Sequence, residues 1–313
     1  MRRLRRGRAA RTVSATGNRR SGLQLSRAAW VRLWRVIGWS ATVAAIVWGL
    51  HQMEQSVRQR DPTVHCAIEW VDLPTWMTAA GGDQALADVA AAADLRPDDV
   101  IHDPELCRRV ATGLQASAWV AEVYRVAKRP DGVVRIAARY REPFAYVEHR
   151  GAVYRVDREG VRLPLPAVYR IDYIQDRFWN DWFRIVGVSG AIPDDGAQWP
   201  GEDLAAGLRL VQFLREATAR GEVPFRSSLR AIDVANFGLR QNPDDGQLRI
   251  RTIHPRSYIR WGEPPGEEYD VESPARRKLD MLRSVYTKRG FLPEGILDVR
   301  DVERAQIITP RGG

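Results

Sequence analysis

The residue types that most often carry catalysis or bind metals are sparse in this chain and follow no recognised pattern. Gly187-Val188-Ser189-Gly190 begins like the G-x-S-x-G nucleophile elbow, but Ala191 stands where the final glycine belongs. The acid pairs Asp194-Asp195 and Asp244-Asp245 lie in turn-like contexts, where aspartate is a good turn former. The five histidines share no i, i+4 pair and no metal-ligand spacing: His51, His65, His102, His149 and His254. We therefore predict no catalytic residue, no metal, no cofactor and no small-molecule substrate.

The two cysteines, Cys66 and Cys107, leave two interpretations open. In an oxidising compartment they can form a disulfide. Alternatively, both are free buried thiols, because a buried cysteine behaves as a small apolar side chain. The neighbouring histidines His65 and His102 would suggest zinc, but the spacing fits no standard zinc-ligand pattern.

The positive charge of the chain is concentrated at its N-terminal end. The formal net charge is +9, but residues 1–35 hold eleven arginines and no acid, and the first acidic residue is Glu54. Without those arginines, 37 basic residues face 39 acidic ones, so the remainder is nearly neutral. Residues 1–29 predict a disordered cytoplasmic tail. A basic arm of this kind binds nucleic acid or flanks a membrane helix; the second interpretation is favoured, and no nucleic acid is expected.

The segment after the basic arm predicts a transmembrane helix over residues 30–53. Residues 36–50 carry no formal charge, and apolar residues upstream lengthen the run toward the roughly 20 residues that cross a bilayer. The arginine asymmetry predicts a single-pass protein of the bacterial inner membrane, with a cytoplasmic N-terminus and extracytoplasmic C-terminal domains. A cleaved signal peptide is the alternative, although no A-x-A site follows. The expected membrane-anchor residues are Trp30, Trp34, Arg35, Trp39 and Trp48.

The rest of the chain predicts an α+β fold in two domains. Residues 54–63 are polar and predict a linker, after which residues 64–140 follow a β-α-α-β-β order. Its first strand alternates around Ile68 and Trp70, its two helices begin near Asp83 and at Asp103-Pro104, and its last two strands are joined by Pro130-Asp131-Gly132. In the last strand, alternate residues are apolar and the others polar or small, which indicates one buried sheet face.

Residues 141–310 predict a mainly antiparallel β domain with two helices. A hairpin is expected over residues 145–161, with its turn near residues 157–160. One helix is predicted over residues 203–219; the other begins after Ser273-Pro274 and ends at Gly290. Two strands, 296–300 and 305–309, close the domain.

This order of elements, together with five short stretches, resembles the FtsQ/DivIB family of bacterial cell-division proteins. The resemblance implies a POTRA-like domain over residues 64–140 and a family-type β domain over residues 141–310. The chain departs from the family pattern in the exchanged order of Arg141 and Glu142 and in Asp301, where an aromatic residue would strengthen the match. The loop 72–82 and the aromatic insert 171–182 are also unusual for the family. The stretches are AWVAEV (118–123), YREPFA (140–145), YRVDREG (154–160), IRWG (259–262) and ILDVR (296–300).

The resemblance implies a non-enzymatic, membrane-anchored scaffold at the division septum that binds FtsB/FtsL-like coiled-coil division proteins. A terminal strand with an open edge would accept a partner strand by β-augmentation. Pairing of that strand inside the chain is the alternative. Other interpretations are a POTRA-bearing envelope assembly or transport protein and a membrane-anchored envelope hydrolase. The implied partner-binding residues are Lys278, Asp298, Arg300, Ala305, Gln306, Ile307, Ile308 and Thr309.

Overall fold

The described part of the chain is a mixed α/β protein with two β-sheets. A computed structural model describes residues 27–60, 67–79, 82–97, 99–165, 183–269, 271–304 and 306–308. The chain divides into two compact units, residues 1–62 and residues 63–313. The described part of the first unit is one helix, and the second unit holds both sheets.

Helix α1 (Arg27–Arg60) does not meet the requirement for crossing a membrane. Among the helices that the structure describes, none combines the length and the apolar character that a membrane span needs. The uncharged run inside α1 is diluted by Gly38, Ser40 and Thr42 and passes into His51 and Gln52. The predictions of a transmembrane helix over residues 30–53, of an inner-membrane location and of membrane-defined sidedness are therefore wrong.

Two related predictions change with α1. The side chains predicted as membrane anchors are exposed on this helix, and their anchoring role depended on the span, so it is not retained: Trp30, Trp34, Arg35, Trp39 and Trp48. The predicted linker 54–63 is helical as far as Arg60, because its Glu, Gln and Arg residues are good helix formers. The predicted tail lies outside the described residues except for residues 27–29, which begin α1.

The second unit opens with a three-stranded sheet in which the last strand is central. The strand order is β1-β3-β2, with β3 parallel to β1 and antiparallel to β2. Helix α2 was not predicted, because a single turn after a proline leaves no periodic pattern in the sequence. The elements are β1 (Ala67–Val71), α2 (Thr75–Thr78), α3 (Asp83–Ala92), α4 (Leu106–Ala116), β2 (Val120–Lys128) and β3 (Val133–Tyr140).

The alternation of β3 and the apolar stripe of α4 build the core of this sheet. Val134 and Ile136 are fully buried, whereas Arg135 and Arg139 are exposed on the opposite face. The buried residues of α4 are Leu106, Val110 and Leu114, each with no exposed surface. Such burial stabilises the fold by about 1.5–3 kcal/mol for each large apolar side chain.

A nine-stranded sheet forms the rest of the unit. Five of its eight strand pairings are antiparallel and three are parallel. Helices α5 (Glu202–Ala219) and α6 (Ala275–Arg289) contribute buried leucines to the core on one face. The strand order is β12-β11-β10-β9-β8-β7-β4-β5-β6. The strands are β4 (Ala145–His149), β5 (Ala152–Val156), β6 (Arg162–Leu163), β7 (Phe183–Val186), β8 (Leu229–Asp233), β9 (Leu248–Thr252), β10 (Tyr258–Gly262), β11 (Ile296–Asp298) and β12 (Gln306–Ile308).

The first hairpin of this sheet turns earlier than the sequence predicts. Its two-residue turn is Arg150-Gly151, both with positive φ, and residues 157–160 form the next turn, between β5 and β6. A two-residue turn with positive φ at both positions favours Asn-Gly or Asp-Gly. An arginine at φ 51° carries no such signal, so the sequence points to the wrong turn.

An ion-pair cluster joins the two sheets. Arg141, directly after β3, donates to Asp157 at 2.7 Å and to Glu159 at 3.0 Å. Asp157 also accepts backbone hydrogen bonds from Glu159 and Val161, which fixes the turn that carries both acids. Burial would raise the pKa of Glu159, but hydrogen bonds from Arg139 and Arg141 outweigh it and lower that pKa. Arg141 and Asp157 lie in two of the stretches that resemble the family.

Close packing of α3 on α4 depends on a glycine, which gives the first prediction. A Cβ atom at Gly113 would collide with the carbonyl oxygen of Ala92. We expect Gly113→Ala to lower the free energy of unfolding by about 1–3 kcal/mol, although alanine is otherwise the better helix former. The matched control is Gly49→Ala in α1, where the added Cβ meets nothing within 4 Å. Urea denaturation would contradict the account if Gly113→Ala were as stable as the unaltered chain.

Candidate partner-binding site

The C-terminal strand of the nine-stranded sheet has a partner on one side only. β12 pairs antiparallel with β11 through Gln306 to Ile308, and within the described part of the chain no strand pairs with its other side. β11 in turn runs parallel to β10. A strand with one unpaired side presents a row of N–H and C=O groups that another strand can use. We call this outer side of β12 the open edge.

The opposite edge of the same sheet is covered. Arg162 in β6 donates its backbone N–H to Ala197 O at 3.0 Å, and Gly196 N–H donates to Arg162 O at 2.8 Å. Val161 forms an isolated antiparallel bridge with Gln198. The loop around residues 194–198 thus supplies the backbone partners that a foreign strand would otherwise provide.

A row of charged side chains runs across the sheet toward the open edge, on the face opposite the helices. The register pairs Asp233 with Arg249, Arg249 with Arg260, Arg260 with Asp298, and Asp298 with Gln306. Arg249 and Arg260 are like charges side by side, which is unfavourable unless an acid separates them. Buried Asp245 does so, at 3.3 Å from Arg249 and 2.7 Å from Arg260. We call Asp233, Arg249, Arg260 and Asp298, with Asp245, the charge row.

The charge row ends in a forked ion pair beside β12. Arg300 donates to the Asp298 carboxylate through Nε and Nη2, at 3.0 Å and 2.7 Å. Burial alone would raise the pKa of Asp298, but the hydrogen bonds from Arg300 outweigh burial and hold that pKa below its ordinary value. Asp298 therefore stays ionised at neutral pH. A folded carboxyl with a depressed pKa contributes stability above its unfolded pKa, and this contribution is lost as the pH falls through the folded value.

Behind the row, Lys278 and Glu272 form a buried ion pair. The Lys278 side chain has no exposed surface; its Nζ donates to Trp261 O at 2.8 Å and to the Glu272 carboxylate. Glu272 also accepts the backbone N–H of Glu263 at 2.9 Å, and a Cβ at Gly262 would collide with its carboxylate. Burial lowers the pKa of Lys278, against the opposing effect of Glu272. The pair ties α6 to the end of β10.

The loop that carries Glu272 also holds the chain between β11 and β12. Ser273 donates its backbone N–H to Arg300 O at 2.7 Å, and its Oγ accepts from Val302 N–H at 3.1 Å. Glu268, in the same loop, accepts the N–H of Ala275 at the start of α6. The buried pair thus fixes a loop that in turn fixes the approach to the open edge.

The predicted partner-binding residues fall into three groups. The Lys278 side chain is buried and donates to Trp261 O within the chain, and it lies on the same helix face as the buried Ala275, Leu279 and Leu282. Asp298 and Arg300 lie together on the sheet face beside β12. Gln306, Ile307 and Ile308 form β12, while Ala305 and Thr309 lie outside the described residues.

Sequence reasoning missed Glu272, Arg260 and Asp245. Arg260 alternates with buried Ile259 and Trp261 in β10, which is a signal for an outward-facing side chain. Asp245 had only a turn signal, because its role depends on two arginines from separate strands.

No metal site emerges from the part of the chain that the structure describes. Its histidine, cysteine and acidic side chains form no group of three or more that would hold a metal ion. Cys107 is a free, half-buried thiol, and Cys66, its possible disulfide partner, lies outside the described residues.

No protein-family model matches the chain, and no curated protein matches it either. The resemblance of its short stretches to the FtsQ/DivIB family therefore stays a prediction.

The buried pair gives the second prediction. Lys278→Met should leave the Glu272 carboxylate buried without its cation and lower the free energy of unfolding by about 3–5 kcal/mol. Lys278→Met combined with Glu272→Gln should recover part of that loss, since no charge then stays uncompensated. The matched control is Arg277→Met, at the neighbouring exposed position, with an expected change within about 0.5 kcal/mol. Equal unfolding midpoints in urea for Lys278→Met and Arg277→Met would refute this account of the pair.

Proposed function

We propose that this chain is a non-catalytic scaffold protein of bacterial cell division that binds another protein by strand addition at the open edge. The single observation that carries the proposal is that no strand in the described part of the chain pairs with the outer side of β12, whereas the other edge of the same sheet is covered. The division role comes from the five stretches that resemble the FtsQ/DivIB family and occur in the family's order.

Strand addition suits this edge because the recognition is chiefly backbone to backbone. Each hydrogen bond formed with β12 would stabilise the complex by about 0.5–1.5 kcal/mol net. A three-residue strand offers few such bonds, so side-chain contacts must supply the rest of the affinity. The Asp298–Arg300 pair and the charge row lie next to the edge and give a partner strand polar groups to complement.

The proposed partner is an FtsB/FtsL-like coiled-coil division protein. Such a partner would place an extended segment on β12 while its helical part contacts other surfaces. A rigid edge lowers the entropy cost of this association, because the strand does not need to be ordered on binding. Two hydrogen bonds support that rigidity: Ser273 N–H donates to Arg300 O, and Val302 N–H donates to Ser273 Oγ.

The β2 edge of the three-stranded sheet is a less suitable site for strand addition than β12. The outer strand β2 has two register irregularities and carries Glu122, Arg125 and Lys128. Bulges and charges on an edge strand discourage pairing with another chain. These features favour β12 as the partner-binding edge.

Truncation tests the proposal and gives the third prediction. A chain ending at Arg304 lacks β12 and should lose co-purification of the coiled-coil partner. A chain ending at Thr309 keeps β12 and should retain it, so the two truncations are matched controls. Circular dichroism of both should show the same secondary-structure content, because β12 contributes only three strand residues.

The division role is tested with the same two chains in cells depleted of the full chain. The chain ending at Thr309 should restore division, and the chain ending at Arg304 should leave growing cells that do not divide. Partner binding that survives removal of β12 would reject the open edge as the site. Normal division in the depleted cells would reject the division role while leaving strand addition intact.

A further inference from the structure

A basic groove lies on the exposed face of the three-stranded sheet, remote in sequence from the open edge. Its volume is about 390 Å³. The buried residues of β3 face the helices, so the groove occupies the face that the helices leave uncovered. It is lined by Val71, Arg125, Ala127, Lys128, Arg129, Arg135 and Ala137; we call this set the basic groove.

The depression follows from the order of side-chain sizes across the three strands. Ala137 in β3 lies between Val71 in β1 and Arg125 in β2, and Ala127 in β2 pairs with Arg135 in β3. Two alanines therefore sit beside two arginines on neighbouring strands. The short side chains form a floor, and the long cationic side chains form its walls.

The groove has more positive charge than its neighbours neutralise. Glu69 lies 3.2 Å from Arg129 and 3.5 Å from Arg135, and Asp131 lies 2.9 Å from Arg129. Arg125 has no acidic partner within 4 Å among the described residues. Lys128 Nζ instead donates to Asp103 O at 2.9 Å, so three arginines face two acids, which leaves a net charge of about +1 over a small concave surface.

Glu69 and Asp131 beside the basic groove limit the kind of anionic ligand that it can bind. Nucleic-acid affinity grows with the number of phosphates neutralised, and a duplex or single strand would bring its phosphates close to Glu69 and Asp131. A carboxylate instead matches the planar fork of an arginine and needs only one such contact. An extended peptide places alternate side chains on one face about 7 Å apart, so that two carboxylates can reach two arginines over an alanine floor.

We propose that the basic groove binds an extended acidic segment of a partner protein through Arg125 and Arg135. The site is separate from the open edge and does not depend on the proposed division role. A second copy of this chain is a poorer occupant, because its acidic loop after β10 is already engaged. Glu267 pairs with Arg209, Glu268 accepts the N–H of Ala275, and Glu272 is buried against Lys278.

The experiment uses the full chain and a fluorescent ten-residue peptide that alternates glutamate with alanine. Fluorescence anisotropy at low and moderate salt should show binding to the unaltered chain. The Arg125→Glu/Arg135→Glu variant should bind about tenfold more weakly, a change of the size expected for losing charge-assisted contacts. The matched control is Arg277→Glu on α6, an exposed arginine outside the groove, with binding equal to that of the unaltered chain.

A difference measurement and a second variant keep the result interpretable. Because residues 1–35 are arginine-rich, the measured quantity is the difference between the unaltered chain and the groove variant, not total binding. Arg125→Gln, a single change on an outer strand, serves if the double variant does not fold, and should weaken binding in the same direction.

Three results would overturn the proposal. One is equal peptide affinity of the groove variants and the unaltered chain, which would assign the binding to the tail. Another is an equal loss of affinity for Arg277→Glu, which would indicate a general charge effect. The last is tighter binding of a ten-residue oligothymidine than of the acidic peptide at the same salt concentration, with the oligothymidine affinity lost in the groove variants.

Discussion

Backbone groups of a strand need hydrogen-bond partners on both sides, and among the described residues β12 has a strand partner on only one. Contacts elsewhere in the second unit fix the position of this strand. β11 supplies its inner partner, the loop around Ser273 holds the chain before it, and the Glu272–Lys278 pair fixes that loop. A buried ion pair is costly to desolvate and is weak evidence of stability by itself. In this chain the pair contacts β10, α6 and the loop, and it fixes the position of these elements relative to one another.

The exposed faces of the two sheets differ in their arrangement of charged side chains. In the nine-stranded sheet, Asp233 and Asp298 flank two adjacent arginines, Arg249 and Arg260, and Asp245 lies between those arginines. In the three-stranded sheet, the arginines exceed the acids around a floor of alanines, and the face is basic. The Arg141–Asp157 contact joins the two sheets through residues whose hydrogen bonds are already part of a fixed turn. A partner that touches both surfaces would meet a defined spacing between them.

Local patterns in the sequence predicted the elements whose causes are local. The β3 alternation, the α4 stripe and the boundaries of α6, from Pro274 to the left-handed Gly290, all agree with the structure. The membrane span was wrong because arginine asymmetry was given more weight than the weak apolar character of the run itself. The position of the first hairpin turn was wrong because Arg150 carries no turn signal.

In the candidate site, too, the sequence predicted the features with local causes and missed those that depend on long-range contacts. The sequence pointed to the terminal strand and to the Asp298–Arg300 pair, since both belong to one short segment. It could not show that the loop around residues 194–198 covers β6 while no described strand covers β12, because these contacts join residues that are distant in the sequence. Lys278 was named on the resemblance alone, and its burial depends on the packing of its helix against the sheet. The features that the sequence did not predict depend on the register between strands that are far apart in the sequence, and not on residue type.

Amide hydrogen exchange of residues 306–308, in the chain alone and with the coiled-coil partner, tests the central claim most directly. The account predicts that binding slows exchange in β12 by about tenfold or more, with no comparable change in the already covered β6. Unchanged exchange in β12, with new protection appearing elsewhere in the chain, would contradict it.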